Sequence, residues 1–318
     1  MQTINSILFL GAGGLGAAYG SVIHTTKPGL VSFLADGARA GRLRKDGVVV
    51  NGTSFVLPVI EPPGNTGAHS SKVSASPEPA DLIVLTVKYH HLQNAVELMR
   101  PFVGPHTIIL SLLNGIDSEE ILAETFAPRQ ILHGMSLGID AVREENKISY
   151  SSLGTVYFGR ADNSRISPEV RLVQELFDEC GITYETPTDM IRTLWWKFMI
   201  NVGINQVSAV LEQPYGAFQQ QGHAHRLMGT AMREVIALAV QRGIDLSESD
   251  IEKWNNVIPR LSPEGKTSML QDVEGRRKTE VEMLAGKVVA LGTELQIPTP
   301  VNTVLMEILK AKEEAYAT

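Results

Sequence analysis

Residues Ser6–Thr25 read SILFLGAGGLGAAYGSVIHT. Ser6 to Leu10 is a short apolar run of strand length, suited to a central parallel strand. Gly11-Ala12-Gly13-Gly14-Leu15-Gly16 follows at once, and Ala17 to Thr25 reads as a helix. A strand, then G-x-G-x-x-G, then a helix is the context that the dinucleotide-binding fingerprint requires. Gly11 permits a tight turn, Gly13 lets the backbone approach a pyrophosphate, and Gly16 lets the helix pack close to the strand. The start of the helix offers unpaired N–H groups and a positive dipole end to phosphates. The competing reading is a glycine-rich turn that only packs.

Outward from this motif, Leu30 to Leu34 is a second strand, and Asp36 lies twenty residues after Gly16. An acid there hydrogen-bonds the ribose 2′-OH of NAD and repels a 2′-phosphate. Asp36-Gly37 is also a turn dipeptide, so a turn or helix N-cap stays open. Arg39, Arg42 and Arg44 are close enough in sequence to hold a phosphate instead, which divides the reading between NAD and NADP. Val48–Val50, Asn51-Gly52 and Phe55–Val59 read as a hairpin. Glu61 to Pro79 reads as a surface connection, being rich in Gly, Ser and Pro. Leu82 to Val87 and Thr107 to Leu113 are further buried-strand runs. Lys88 and Asn114 stand at their C-terminal ends, where open α/β sheets bind ligands. Lys88 is therefore a candidate cofactor contact, against a solvated loop lysine; for Asn114-Gly115 the alternative is the turn itself. His90 and His91 lack acidic or cysteine partners at metal-site spacing, so no metal is expected. Ile131–Ile139 reads as a strand, Lys147–Phe158 as a hairpin, and Ser167–Cys180 as a helix capped by Ser167. This alternation predicts a mostly parallel sheet.

The chain has 318 residues, which fits two domains, and is 43% hydrophobic and 20% charged, as a globular protein with a sizeable core would be. The formal net charge of -7, with no Lys/Arg-rich run, argues against a nucleic-acid partner. Cys180 is the single cysteine, so no intrachain disulfide can form and a reducing, cytoplasmic setting is expected. No apolar run is long enough to cross a bilayer, and the N-terminal residues lack the features of a signal peptide.

From about Asp189 the strand-like runs fade and helical patterns dominate. The predicted boundary puts residues 1–185 in a Rossmann-type dinucleotide-binding domain and 186–318 in an all-helical substrate domain, with the cleft between them as the expected substrate site. Trp195–Ser208, WWKFMINVGINQVS, reads as a mostly apolar helix. Lys197, Asn201 and Asn205 are four residues apart, so an α-helix stacks them on one face. Polar groups in such a wall must be hydrogen-bonded or must line a cleft. A polar stripe locking two helices and an active-site face both satisfy that requirement. Further helices are expected at His223–Arg242, at Glu274–Leu295 and at Val301–Tyr316. Glu280, flanked by Arg276, Arg277, Lys278 and Glu282, belongs either to a solvated charged face or to a side that turns in toward Lys197. Periodicity does not decide between these.

Taken together these landmarks resemble the ketopantoate reductase (2-dehydropantoate 2-reductase) family over nearly the whole chain. The markers are GAGGLG at 11–16, TVKYHHLQNA at 86–95, LLNGI at 112–116, WKFMINVGINQVSAV at 196–210 and SMLQDVEGRRKTEVE at 268–282. The resemblance implies reduction of 2-dehydropantoate to pantoate, a step of pantothenate and coenzyme A biosynthesis, with NADP(H) as cofactor. By position, Lys197 matches the family's catalytic lysine and general acid, and Glu280 its supporting acid. Asn114, Asn201, Asn205 and Ser268 match substrate-side positions; Asn114 also lies near the nicotinamide, and Lys88 matches a cofactor-contacting lysine. Two positions depart from the pattern. Ala35-Asp36 stands where members commonly carry an arginine for the 2′-phosphate, which keeps NAD(H) open. Tyr215 stands where some members carry a substrate-side asparagine, which keeps open a related 2-oxo acid reductase making a D-2-hydroxy acid. A dinucleotide sensor without turnover is the alternative from another class. The long C-terminal helices leave room for a homodimer.

Overall fold

The computed structural model describes residues 3–63 and 77–316. Most of the Glu61–Pro79 connection lies outside these residues. The strands are β1 (Ile7–Leu10), β2 (Val31–Leu34), β3 (Val48–Val50), β4 (Thr53–Phe55), β5 (Val59–Ile60), β6 (Leu82–Leu85), β7 (Ile108–Ser111), β8 (Ile131–Ile139), β9 (Val142–Glu144), β10 (Lys147–Ser149), β11 (Leu153–Gly159) and β12 (Tyr184–Glu185). The helices of the same stretch are α1 (Gly14–Thr26), α2 (Gly37–Asp46), α3 (Leu92–Met99), α4 (Ser118–Ala123) and α5 (Pro168–Cys180). After β12 come α6 (Met190–Ile200), α7 (Gln206–Leu211), α8 (His223–Gln241), α9 (Glu248–Asn255), α10 (Ser268–Glu274), α11 (Lys287–Leu295) and α12 (Pro300–Glu314). Two compact units result, one from residues 1–113 and 117–190, the other from 114–116 and 191–318.

In the first unit the main sheet runs β12-β11-β8-β7-β6-β1-β2-β5. Every residue of β1, β6 and β7 is buried, as expected for parallel strands covered on both faces. Alternation then sends Ile7 and Phe9 into one core cluster and Leu8 and Leu10 into the other. Leu10 is in register with Leu34 on one side and Leu85 on the other, so three strand ends align at the glycine loop. The chain moves outward from β1 to β2 and β5, then returns to β6 on the far side of β1. That reversal creates the crevice at which doubly wound sheets bind ligands.

A smaller sheet, β4-β3-β10-β9, stands beside it. Asn51 and Gly52 take φ values of +47° and +80°, the turn that Asn-Gly favours, and close the β3–β4 hairpin. That hairpin ends at Phe55 rather than Val59. The expected hairpin over Lys147–Phe158 is corrected: β10 pairs with β9 and β3, whereas β11 leaves to pair with β8. The physical cause is a bend at Ser151-Ser152, whose two N–H groups both donate to Asp140 Oδ1 at 2.8 Å.

Among its described residues the second unit carries helices and no strand. Two expectations change here. The Trp195–Ser208 helix is not α-helical throughout, because Asn201–Asn205 forms a π-helical turn between α6 and α7. Gly203, weak in helix propensity, sits at its centre. The helix expected over Glu274–Leu295 is broken. It stops at Glu274, where Gly275 and Arg276 (φ +48°) leave the helical path, and Glu313 then accepts from the backbone N–H of Thr279. A second π-helical turn, Glu282–Gly286, leads into α11 and packs against the first.

Candidate active site

Lys197 lies in the last turn of α6 and is 8% exposed. Its Nζ donates to Asn114 Oδ1 at 2.9 Å. Asn114 follows β7, and its Nδ2 donates to Glu280 Oε2 at 3.2 Å. One carboxamide therefore joins the ammonium to the carboxylate. Glu280 is 9% exposed and faces inward, so the solvated-face reading is set aside. The break after α10 explains this: Glu280 sits just before a π-helical turn, not in the middle of a charged helix face. Its basic neighbour Arg277 turns away to pair with Asp272 at 3.1 Å. Withdrawal from water pulls the Lys197 pKa from 10.5 to about 8, partly offset by the Glu280 charge.

Asn201 and Asn205 follow on the π-helical turn and are 8% and 9% exposed. In an α-helix, residues four apart are offset by about 40°. A turn closed by i→i+5 bonds carries more residues per turn and brings them closer to line. Neither carboxamide hydrogen-bonds another group among the described residues. A stripe that locked two helices together would have spent those groups on protein partners. Gln206, the next residue, does so: its Nε2 donates to Val202 O at 2.8 Å and to Asn302 Oδ1 at 3.0 Å. The wall thus separates into a satisfied glutamine and two asparagines open to a ligand.

Ser268 is exposed at the first position of α10, and Thr267, not Ser268, caps that helix by accepting from Leu270 N at 3.1 Å. The helix packs on α7 and on the Asn201–Asn205 turn. Tyr215 donates its N–H to Gly265 O at 2.9 Å, and a Cβ built on Gly265 would lie 3.0 Å from the Tyr215 ring. Burial raises its phenol pKa.

The other sequence candidates belong to the first unit. Gly11 has φ +108°, and a Cβ on Gly16 would stand 1.8 Å from Gly11 O, so neither position accepts a side chain. Gly13 is the N-cap of α1, and no acidic side chain lies in that helix's first turn. Ala12, Gly14 and Leu15 complete the loop. The open helix start and bare backbone fit the pyrophosphate of a nicotinamide dinucleotide. Thr86, just past β6, donates to Gly11 O at 2.7 Å and to Leu10 O at 3.1 Å. It fixes the loop; the sequence reading included Thr86 in the TVKYHHLQNA stretch without assigning it a role. Asp36 occupies the N-cap position of α2 but does not cap it with its side chain. Arg44 pairs with Glu61, which removes it from the phosphate candidates. Lys88 is half-buried beyond the end of β6, at the N-cap of the short turn that carries His90 and His91. Among the described residues no group of His, Cys, Asp and Glu is placed to hold a metal.

Models of the ketopantoate reductase PanE/ApbA family match residues 7–163 and, for its C-terminal part, 189–313. The chain belongs to the ketopantoate reductase family. The 2-dehydropantoate 2-reductase of Pyrococcus horikoshii is 27% identical over 96% of this chain and 97% of its own. That of Archaeoglobus fulgidus is 26% identical over 98% of each. The solved 2-dehydropantoate 2-reductase from Geobacter metallireducens is 25% identical, with a TM-score of 0.80 over 96% of this chain and 99% of that one. A D-mandelate dehydrogenase solved with NADH and anilino(oxo)acetate shares the fold, with a TM-score of 0.86, 21% identity and 98% and 99% coverage. No described helix of this ketopantoate reductase family member is long and apolar enough to cross a membrane.

Proposed function

We propose that this protein reduces 2-dehydropantoate to pantoate with NAD(P)H. The observation that carries the reading is the buried Lys197, tied through Asn114 to Glu280 and followed by two buried asparagines without hydrogen-bond partners among the described residues. The glycine loop and the start of α1 hold the dinucleotide, with Lys88 as a further contact. A nicotinamide held there would supply the hydride for C2 of the 2-oxo acid. Negative charge then develops on the carbonyl oxygen, and the Lys197 ammonium stabilises it and gives up its proton there. Asn114 orients Lys197, and Glu280 holds Asn114 while keeping the ammonium protonated. Asn201 and Asn205 take the substrate hydroxyl, and the Ser268 hydroxyl takes the carboxylate. A sensor without turnover has no use for a buried proton donor.

The test follows absorbance when the purified protein meets ketopantoate with NADPH or NADH. Rapid oxidation of either cofactor supports the reading; silence with both removes it. A second reading, reduction of another 2-oxo acid to a D-2-hydroxy acid, rests on Tyr215. Its hydroxyl has no hydrogen-bond partner among the described residues, and its ring lies against the loop that leads to Ser268. Turnover of an aromatic or branched 2-oxo acid well above ketopantoate would favour it.

A further inference from the structure

Gln206 opens α7 directly after the Asn201–Asn205 turn and is fully buried. In an α-helix its backbone N–H would donate to Val202 O, four residues back. In this turn that N–H donates to Gly203 O, three residues back, and the side chain reaches Val202 O instead, with Nε2 donating to it at 2.8 Å. Val202 follows Asn201, and Gln206 follows Asn205. The bond therefore spans the same four residues as the two carboxamides, displaced by one position. Relaxation of the turn to an α-helix would swing Asn205 about 40° out of line with Asn201. A side chain bound to Val202 O stands where the α-helical bond would re-form, and so opposes that relaxation.

The Gln206 amide is itself held from the far side. Its Nε2 also donates to Asn302 Oδ1 at 3.0 Å, and Asn302, on α12, is fully buried. Asn302 Nδ2 donates to Ala231 O at 3.2 Å and to Glu234 Oε2 at 2.7 Å, both on α8. The Glu234 carboxylate accepts in addition from the backbone N–H groups of Val301 and Asn302, at 2.8 and 3.0 Å. Those groups belong to the first turn of α12, where the helix dipole favours a negative charge. One chain of hydrogen bonds thus runs from Glu234 through Asn302 and Gln206 to Val202. It ties a short irregular turn to the longest described helices of the second unit, α8 and α12, of 19 and 15 residues. Each link resists breaking, because an unpaired donor in a dry interior costs about 1–3 kcal/mol.

We propose that Gln206, held by Asn302 and Glu234, is a positioning residue that sets the alignment of Asn201 and Asn205, and with it the preference of this protein for a 2-oxo acid that carries a hydroxyl. Gln206 and Asn302 are sealed from solvent and act only through the turn. The proposal rests on the reading that the two asparagines take the substrate hydroxyl.

The experiment measures kcat and KM for ketopantoate and for 3,3-dimethyl-2-oxobutanoate, which is ketopantoate without its hydroxyl. The proteins are the wild type, Gln206→Met and Glu234→Gln, each first shown to be folded by urea unfolding. Gln206→Met keeps the length of the side chain and removes both donors. It should raise KM for ketopantoate about tenfold, while KM for the analogue and kcat for both acids change by less than about threefold. Glu234→Gln keeps the size of a half-buried side chain and gives up its charge, and should lower the preference for ketopantoate by about twofold to threefold. Should Gln206→Met fail to fold, the preference of Glu234→Gln decides. Equal losses for the two acids would assign Gln206 to the stability of the unit alone and overturn the proposal. An unchanged preference in both variants would also overturn it, and would leave the roles of Asn201 and Asn205 standing. A wild type that reduces both acids equally well, or neither, would remove those roles and the proposal with them.

Discussion

A lysine pKa of about 8 sets the chemistry at the residue scale. Below that pH Lys197 carries its proton in the folded protein, and under the proposed mechanism the carbonyl oxygen has a donor. Above it the donor is lost. We therefore expect kcat/KM for reduction to be flat below about pH 8 and to fall toward tenfold per unit above it. Glu280 raises the Lys197 pKa. Glu280→Gln should move the alkaline limb to lower pH, and a limb that stays in place would mean that Glu280 acts only through packing. Lys197→Ala should lower kcat by about 10²–10⁴ with cofactor affinity nearly intact. Near-normal turnover in that variant would remove Lys197 from the mechanism.

The two π-helical turns decide what the elements can do. Asn201–Asn205 and Glu282–Gly286 lie against each other, one following Lys197 and the other following Glu280. Such turns occur often at functional sites, since an extra residue redirects side chains without ending the helix. Gly203 makes the first one possible. A Cβ there would come within 2.6 Å of two Met232 atoms and 3.2 Å of Met228 Cγ, all in a fully buried contact with α8. Gly203→Ala should cost about 1–3 kcal/mol of stability in urea unfolding, because the interior must shift to accept it. Unchanged stability would show that Met232 gives way freely. The i,i+4 pattern of Lys197, Asn201 and Asn205 was legible in the sequence, but the π-helical turn was not, since both helix types place residues four apart near one face. The break after Glu274 was hidden for a related reason. No proline interrupts Gly275–Val281, and only the left-handed Arg276 and the distant Glu313 reveal that the chain leaves the helix.

For the molecule as a whole, cofactor binding is expected to appear as stability. A ligand at a hundred times its dissociation constant stabilises the state that binds it by about 2.7 kcal/mol. NADPH should therefore raise the unfolding temperature of the unit that carries the glycine loop by about 5–10 °C, read by scanning calorimetry of the full chain. No shift at saturating NADPH would count against the site. The sequence by itself determined the glycine loop, the parallel strands and the change to helices near residue 190, because each depends on neighbours along the chain. Gly11 and Gly16 are required by local backbone geometry, and β1, β6 and β7 by unbroken apolar runs. Only the tertiary structure decided that Glu280 turns inward and that Asn201 and Asn205 find no hydrogen-bond partner among the described residues. Asn114 is separated by 83 residues from Lys197 and by 166 from Glu280. No local periodicity spans such distances, and what joins these groups is the packing that withdraws them from water together.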